Sequence, residues 1–333
     1  MPITSGMTVV FQVAAGPRLG FGHLVRCRSL SRALGLTPRV WVRGSDATRA
    51  AARALGCDVL PATLSLAAVA PSVLVVDDPS PVAAAAAVRR ARAGGVLVCT
   101  IHDAGRPRVA ADLVVDGSVG ITPVRGDHTQ LLGPTFAMLD PGVRAGRRDR
   151  RVPRTRRVCI ALGGGAQVFT LVPMLVAALA ARAPGVHVLV ARGFVARTGL
   201  PALAAGQWLA PQQLGAALAE AEVAIVAGGV TAYEACAVGT PLVVVAVTRA
   251  QQPTVSALEQ LGAAIDGGLL RSRAGAIRVA ELAAQLLAAP ATQRRLSAIG
   301  RNLIDGDGAC RVAAALRTLA ARAQTQRGAT HAA

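Results

Sequence analysis

Short apolar runs closed by Gly, Pro or Asp alternate along this chain with longer stretches whose apolar residues recur every three or four positions. Thr8–Val13, Val40–Val42, Val73–Val76, Val96–Ile101 and Leu113–Val115 are continuous apolar segments rich in β-branched residues. That is the pattern of strands buried on both faces of a parallel sheet. Between them, Leu24, Cys27, Leu30 and Leu34 mark one face of an amphipathic helix, and Ala47–Leu55 and Pro81–Ala93 read as further helices. After an Arg-rich stretch, Arg144–Arg157, the pattern restarts. Strands are expected at Arg157–Leu162, Val186–Ala191, Gln207–Leu209, Val223–Val226 and Leu242–Val247. Helices are expected at Leu171–Arg182, Leu214–Glu220, Ala257–Leu261, Val279–Leu287 and Ala309–Ala321. Strand–helix alternation of this kind predicts a doubly wound parallel sheet in each half. The expected organisation is an N-terminal domain over 1–143, a solvated linker over 144–157, a C-terminal domain over 158–322 and a disordered tail over 323–333.

Composition sharpens this picture in three ways. All 36 basic residues are Arg, against 18 acidic ones. A chain with no Lys and a surplus of Ala, Val, Leu and Gly reflects coding bias more than selection for charge, which discounts the net +18 as a functional signal. One Tyr, two Trp and five Phe are scattered, so no stacking platform for bases is present and nucleic acid is not an expected partner. Weak peripheral contact with an anionic membrane is a secondary reading of the charge. None of the six Cys forms a C-x-x-C pair, so neither a disulfide framework nor a zinc site is expected. The N-terminus has no basic leader and no apolar run reaches membrane-spanning length, so a cytoplasmic location is expected.

Two stretches carry candidate chemistry. In the first, AEVAIVAGGVTAYEACAVGTPLVVVAVTRAQQ (Ala221–Gln252), a buried strand meets Gly228-Gly229 and then a short helix. A glycine turn feeding a helix N-terminus directs N–H groups outward and suits phosphate. Thr231 and Glu234 have capping-box spacing. Glu234 either completes that cap or reaches a ribose hydroxyl. In the second, His23 closes the run Gly16-Pro-Arg-Leu-Gly20-Phe-Gly22 at the start of a helix that follows a strand. The carboxyl edge of an open α/β sheet is where ligands bind. A helix N-terminus disfavours a charged imidazole, which suits a general base. The alternative is a loop histidine bonded to a backbone carbonyl. Asp77, Asp78 and Asp103 also end strands on this edge, where each could position water, bind hydroxyls, orient His23 or cap a helix. Asp305-Gly-Asp307 has the form of a metal–diphosphate signature but reads better as a turn.

These residues resemble a family. Gly20-Phe-Gly22-His23-Leu-Val-Arg26-Cys27 is similar to the G-x-G-H-x-x-R-C motif of the nucleotide-sugar hydrolase of pseudaminic acid biosynthesis. LVVDDP, LLGPTFAMLDP, IALGGG and VAGGVTAYEACAVGTP match its further blocks in order. The resemblance covers about 1–315 and implies a GT-B architecture, two Rossmann-like domains with parallel sheets facing a central cleft. It also implies inverting, metal-independent hydrolysis of a UDP-linked 2,4-diacetamido-2,4,6-trideoxy sugar, with no cofactor. His23 would be the base, with Asp78 a catalytic carboxylate beside it. Gly20, Gly22 and Arg26 would shape the sugar side. Gly164, Gly228, Gly229 and Thr231 would line the diphosphate site, and Glu234 would hold the ribose. Backbone at Trp208 and Leu209 would meet uracil, and Gln251 and Gln252 would face the sugar. The chain departs from the family at Gly165-Ala166-Gln167, at His102, at Val230 and at Tyr233, which bears on sugar choice. A glycosyltransferase with a UDP-sugar donor, or a binding protein without turnover, would use the same architecture.

Overall fold

The computed structural model describes residues 7–17, 19–104, 106–121, 129–140, 142–150, 156–163, 166–194 and 199–332. The chain divides into two compact units. One comprises Met1–Gly16, His23–Met138 and Asp307–Ala333, and the other Pro17–Gly22 and Leu139–Gly306.

The first unit runs β1 (Val9–Ala14), α1 (Gly22–Leu34), β2 (Arg39–Arg43), α2 (Asp46–Ala54), β3 (Asp58–Val59), α3 (Leu66–Val69), β4 (Val73–Asp77), α4 (Pro81–Ala93), β5 (Leu97–Ile101), β6 (Leu113–Asp116) and β7 (Thr129–Leu132). Its seven strands are all parallel and lie in the order β3-β2-β1-β4-β5-β6-β7. The second unit runs α5 (Gly142–Asp149), β8 (Arg157–Ala161), α6 (Ala166–Arg182), β9 (His187–Ala191), β10 (Gly206–Leu209), α7 (Leu214–Glu220), β11 (Val223–Ala227), α8 (Val230–Val238), β12 (Leu242–Ala246), α9 (Gln252–Gln260), β13 (Ile265–Leu269), α10 (Arg273–Leu287) and α11 (Pro290–Leu303). Its six parallel strands lie in the order β10-β9-β8-β11-β12-β13. A final helix, α12 (Gly308–Ala332), belongs to the first unit. Both sheets therefore build outward from their first strand and then reverse. The reversal falls between β1 and β4 in one unit and between β8 and β11 in the other. These are two Rossmann-like α/β units of the GT-B class, each with a topological switch point where the connections on either side diverge and leave a crevice.

Continuous apolar strands explain the cores. Every residue of β4, β11 and β12 is buried. In the first unit Val10, Leu74, Val76, Val98 and Val114 pack with Ala84, Ala87, Val88 and Ala91 of α4. In the second, Ile160, Val190, Ile225 and Val243 pack with Leu175 and Leu179 of α6 and Ala276, Val279 and Ala283 of α10. Alanine on the buried helix face lets helix and sheet approach closely. In α1 the expected face, Leu24, Cys27, Leu30 and Leu34, is at most 1% exposed.

Several elements differ from the sequence expectation. β3, α3, β7, β13 and α11 were not anticipated. Each is short, half-exposed or polar enough to lack a clear period. The expected disordered tail from 323 is a continuation of α12, and the helix joins the first unit instead of closing the second domain. The largest difference is the Arg-rich stretch. Part of the linker expected over 144–157 is helical, since α5 covers Gly142–Asp149, and residues 151–155 lie outside the described residues. From α5, Arg147 donates to the carbonyls of Ala237, Arg301 and Ile304. Arg150, just beyond it, donates to the carbonyls of Leu218, Ala219 and Ala221 and to Thr240 Oγ1. These carbonyls lie at the C-terminal ends of α7, α8 and α11, where the last turn leaves unpaired acceptors and the helix dipole is negative. Burial, with Arg301 adding to it, lowers the Arg150 guanidinium to about 10. Arginine serves here because one guanidinium reaches several carbonyls at once.

Replacing Arg147 by Met removes the donor from three backbone carbonyls while keeping the aliphatic stem. The unfolding free energy, read from urea denaturation, should fall by about 2–3 kcal/mol. An unchanged transition midpoint would show that these contacts add nothing to stability.

Candidate functional site

The first switch point brings together three strand ends. β1 and β4 are neighbours, with Val13 level with Asp77, and β5 lies beside β4 with Thr100 level with Val76. α1 starts after β1, so His23 and Arg26, on its first two turns, stand over the ends of β4 and β5. Leu74 and Val76 face α4. Asp77, one residue further, therefore points to the opposite face, where α1 lies. Its carboxyl is completely buried.

Asp77 is the hub of a charged cluster. Arg26 binds it side-on, Nε donating to Oδ2 at 2.5 Å and Nη2 to Oδ1 at 2.6 Å. The other edge of the same guanidinium binds Asp103, Nη1 donating to Oδ1 and Nη2 to Oδ2 at 3.2 Å. His23 Nδ1 lies 2.8 Å from Asp77 Oδ1 and 2.8 Å from Arg26 Nη2. The proton count assigns the tautomer. Both Nη2 protons are directed to carboxylates, so Nδ1 keeps its own proton and donates it to Asp77. Nε2 is then left with a free lone pair, and it has no partner among the described residues. Burial alone would raise the pKa of Asp77. Arg26 and then His23 outweigh it, holding the carboxyl well below the usual carboxylate range. Asp103 is also held low, desolvation being outweighed by Arg26. For Arg26, burial would lower the pKa, but Asp103 and Asp77 raise it well above its ordinary value.

Asp78, expected beside His23, is placed otherwise. As the next residue it turns away from Asp77 and accepts from Arg43 at the end of β2, Nε to Oδ2 at 2.7 Å and Nη2 to Oδ1 at 2.6 Å. Its Oδ1 also accepts from Ser80 N at the start of α4. The carboxylate next to the candidate base is Asp77. The sequence reading chose Asp78 as the catalytic carboxylate and left Asp77 among the strand-end acids, and side-chain parity along β4 is the signal that separates them. Gly20, with φ of +87°, gives the loop before α1 a conformation that favours glycine, and Gly22 is the first residue of that helix.

At the second switch point β11 leads through Gly228 and Gly229 into α8. Gly229 is the N-cap, and no side chain caps the helix. The expected capping box is therefore absent, with Thr231 and Glu234 lying inside the helix. The register is set by the glycine pair, because a Cβ at Gly228 would fall 2.8 Å from Val255 Cγ2 and 3.1 Å from the Gln251 carbonyl. The uncapped first turn leaves amide N–H groups available at a positive dipole end. Glu234 is only 9% exposed. Burial first, and Asp140 next, push its carboxyl up to about 7, against a hydrogen bond with Thr231. Gln251 Oε1 accepts from Val247 N and Thr248 N, pinning the turn after β12, while Gln252 is exposed at the start of α9. Trp208 stacks on Phe169 at 5.6 Å, and Leu209 is buried at the end of β10. Gly164 lies outside the described residues.

Against known proteins, no family model matches the chain. It is 27% identical over 225 residues to the spore coat polysaccharide biosynthesis protein SpsG of Bacillus subtilis (strain 168), a match covering 63% of this chain and 65% of that relative's length. Solved structures share the fold. MurG of Acinetobacter baumannii aligns with a TM-score of 0.62 at 14% identity, covering 93% of this chain and 99% of that one. The spinosyn rhamnosyltransferase SpnG, complexed with thymidine diphosphate, aligns at 0.57 and 21% identity, covering 94% of this chain and 100% of that one. UDP-GlcNAc 2-epimerase from Neisseria meningitidis, bound to UDP-GlcNAc, aligns at 0.61 and 11% identity, covering 94% and 100%. The last two are named as a rhamnosyltransferase and an epimerase, and the likeness of all three fixes the fold.

Glu234 gives a pH signature. Its folded pKa of about 7 lies above the ordinary 4.5, so between these values the folded chain holds a proton that the unfolded chain releases. The contribution of Glu234 to stability is then fully present below about pH 4.5 and is lost as pH rises to about 7. Glu234→Gln should remove that decline, raising the unfolding free energy at about pH 8 by on the order of 3 kcal/mol with little change near pH 4. Parallel stability curves for the two proteins across this range would refute the assignment.

Proposed function

We propose that the protein is a glycosyltransferase using a sugar linked to a pyrimidine nucleoside diphosphate. The observation that carries this reading is the Asp77–His23 pair, with Nε2 of His23 left unpaired and the ring orientation fixed by Arg26. A base whose tautomer is held by a buried carboxylate suits deprotonation of a hydroxyl. The second unit, taken by itself, carries features that suit a nucleoside diphosphate. The uncapped amide groups of α8 bind the diphosphate, Gly228 and Gly229 let it approach the backbone, and Glu234 accepts from the ribose hydroxyls. The fold neighbours whose names carry thymidine diphosphate and UDP-GlcNAc support the nucleotide class by analogy of fold.

In the proposed reaction the acceptor hydroxyl gives its proton to His23 Nε2 as its oxygen bonds to the anomeric carbon. The bond from that carbon to the diphosphate oxygen breaks, and its electron pair leaves with the nucleoside diphosphate. Attack opposite the leaving group inverts the anomeric centre. Asp77 remains ionised and accepts from Nδ1 as the imidazolium forms.

Hydrolysis of a UDP-linked deoxy-amino sugar is the second reading. It rests on the His23-x-x-Arg26-Cys27 run and on the ordered motif matches, and it uses the same base with water as nucleophile. The transferases among the structural neighbours favour transfer.

The test is release of UDP and TDP from a panel of nucleotide sugars, with and without hydroxyl acceptors, in EDTA. Acceptor-dependent release is expected, and release to water alone would move the assignment to hydrolysis. His23→Ala should lower turnover by about 10²–10⁴-fold while nucleotide binding persists. Asp77→Asn, which can no longer hold the tautomer, should cost a similar factor. Full turnover in His23→Ala would remove the histidine from the chemistry.

A further inference from the structure

The arginines of α5 are consumed by helix ends, but a second group of arginines in the same unit is not. β13 is the outer strand of the six-stranded sheet. Each of its ends carries an exposed leucine. Leu261, in the turn that leads from α9 to β13, is 46% exposed, and Leu269, the last residue of β13, is 37% exposed. Only five large apolar side chains are exposed among the described residues, and this edge holds two of them. Around them stand Arg271 after β13, Arg273 and Arg278 on α10, and Arg294 and Arg295 on α11, all exposed. A Cβ placed on Gly262, beside Leu261, would lie 3.4 Å from Arg295 Nη1, and one on Gly268, beside Leu269, 3.5 Å from Arg278 Nη1. A guanidinium therefore borders each leucine. None of the five arginines has a hydrogen bond or ion pair among the described residues. The acids nearby are fewer. Asp266 Oδ1 accepts from Gly268 N at 2.6 Å, and Glu259 and Glu281 are exposed on α9 and α10.

Three kinds of occupant fit this edge poorly. A partner strand needs a regular row of free backbone groups. β13 shifts register against β12, and Gly268, at φ of +76°, has its N–H turned onto Asp266. A second copy would bring an equally positive edge against this one. A single-stranded nucleic acid stacks its bases on aromatic rings, and residues 252–303 include no Phe, Tyr or Trp. An anionic bilayer uses both features of the edge. Leucine side chains enter its headgroup layer, and long guanidinium side chains reach lipid phosphates. Guanidiniums that no hydrogen bond orients suit such a fluid surface, whereas recognition of a single carboxylate wants a fork already held in place. We infer that the β13 edge of the second unit rests on an anionic lipid surface, with Leu261 and Leu269 in the headgroup layer and the arginines around them on lipid phosphates. The inference goes beyond the sugar-transfer reading and does not rest on it.

The test sediments the full-length protein with vesicles of phosphatidylcholine alone, and with vesicles in which phosphatidylglycerol is about a third of the lipid. The protein should pellet with the anionic vesicles and not with the neutral ones, and added salt should release it. Leu261→Ser with Leu269→Ser should lower partitioning at least about tenfold at an unchanged melting temperature. Arg273→Gln, Arg278→Gln and Arg295→Gln together should lower it on the order of a hundredfold. Arg53→Gln, Arg89→Gln and Arg90→Gln remove the same charge from the first unit and should leave it unchanged. Equal losses in the two arginine variants would show attraction by net charge and overturn the inference. It is also overturned if the anionic vesicles leave the protein in solution, or if the leucine variant pellets as the parent does. Retention on heparin or polyglutamate through the same three arginines, with the vesicles unbound, would overturn it in favour of an acidic macromolecule. Should the double serine variant fail to fold, Leu269→Ser alone carries the same expectation of weaker partitioning. Sugar transfer by a protein that ignores vesicles would leave the proposed function standing, and vesicle binding without transfer would leave this inference standing.

Discussion

Burying an arginine beside a parallel sheet is costly unless its charge and its N–H groups are answered. Arg26 meets that condition by spanning two carboxylates that come from different strands, Asp77 at the end of β4 and Asp103 just beyond β5. The clamp ties α1 to both strands and keeps Asp77 ionised in a place where burial would otherwise protonate it. It also occupies the protons that would compete for His23, so the imidazole has one orientation and one tautomer. Removing Arg26 would leave two carboxylates, one of them fully buried, without a counter-charge, the most destabilising way to break such a group. The candidate base therefore depends on a structural ion cluster as much as on its own position.

The same topology, used twice, divides the chemistry. Each unit places a helix N-terminus at the point where its strand order reverses. In the first, that terminus carries side chains with protons to move. In the second, α8 starts at a bare glycine cap and offers only backbone amides and a dipole. The two units thus make opposite choices at equivalent positions, side chains in one and backbone amides in the other.

The arginine-only basic composition has a structural consequence as well. On α5 and just after it, guanidinium groups answer the exposed carbonyls of three helix ends in the second unit. Read along the chain, eight Arg in fourteen residues resemble a solvated run. In the fold, part of that charge is consumed by helix termini. Net charge alone would misread such residues as a polyanion-binding surface.

What the sequence determined by itself was the set of local periods and breaks. Continuous apolar runs marked the buried strands, and Pro81–Ala93 and Leu214–Glu220 were read as helices with the limits they adopt. The glycine turns and His23 were legible because glycine and strand-end position are properties of short segments. Elements whose burial comes from distant partners, such as β7, β13 and α11, had no local period to show. The same limit hid the site's wiring. Asp77 and Asp78 are adjacent and chemically identical, so only strand parity and the neighbours supplied by α1 and β2 separate them, one to His23 and the other to Arg43. Thr231 and Glu234 had capping-box spacing, but the close approach of Gly228 to Val255 set the register and made Gly229 the cap. Spacing along a chain selects which residues can meet. Which of them do meet, and which proton each then holds, is decided by packing between segments far apart in sequence.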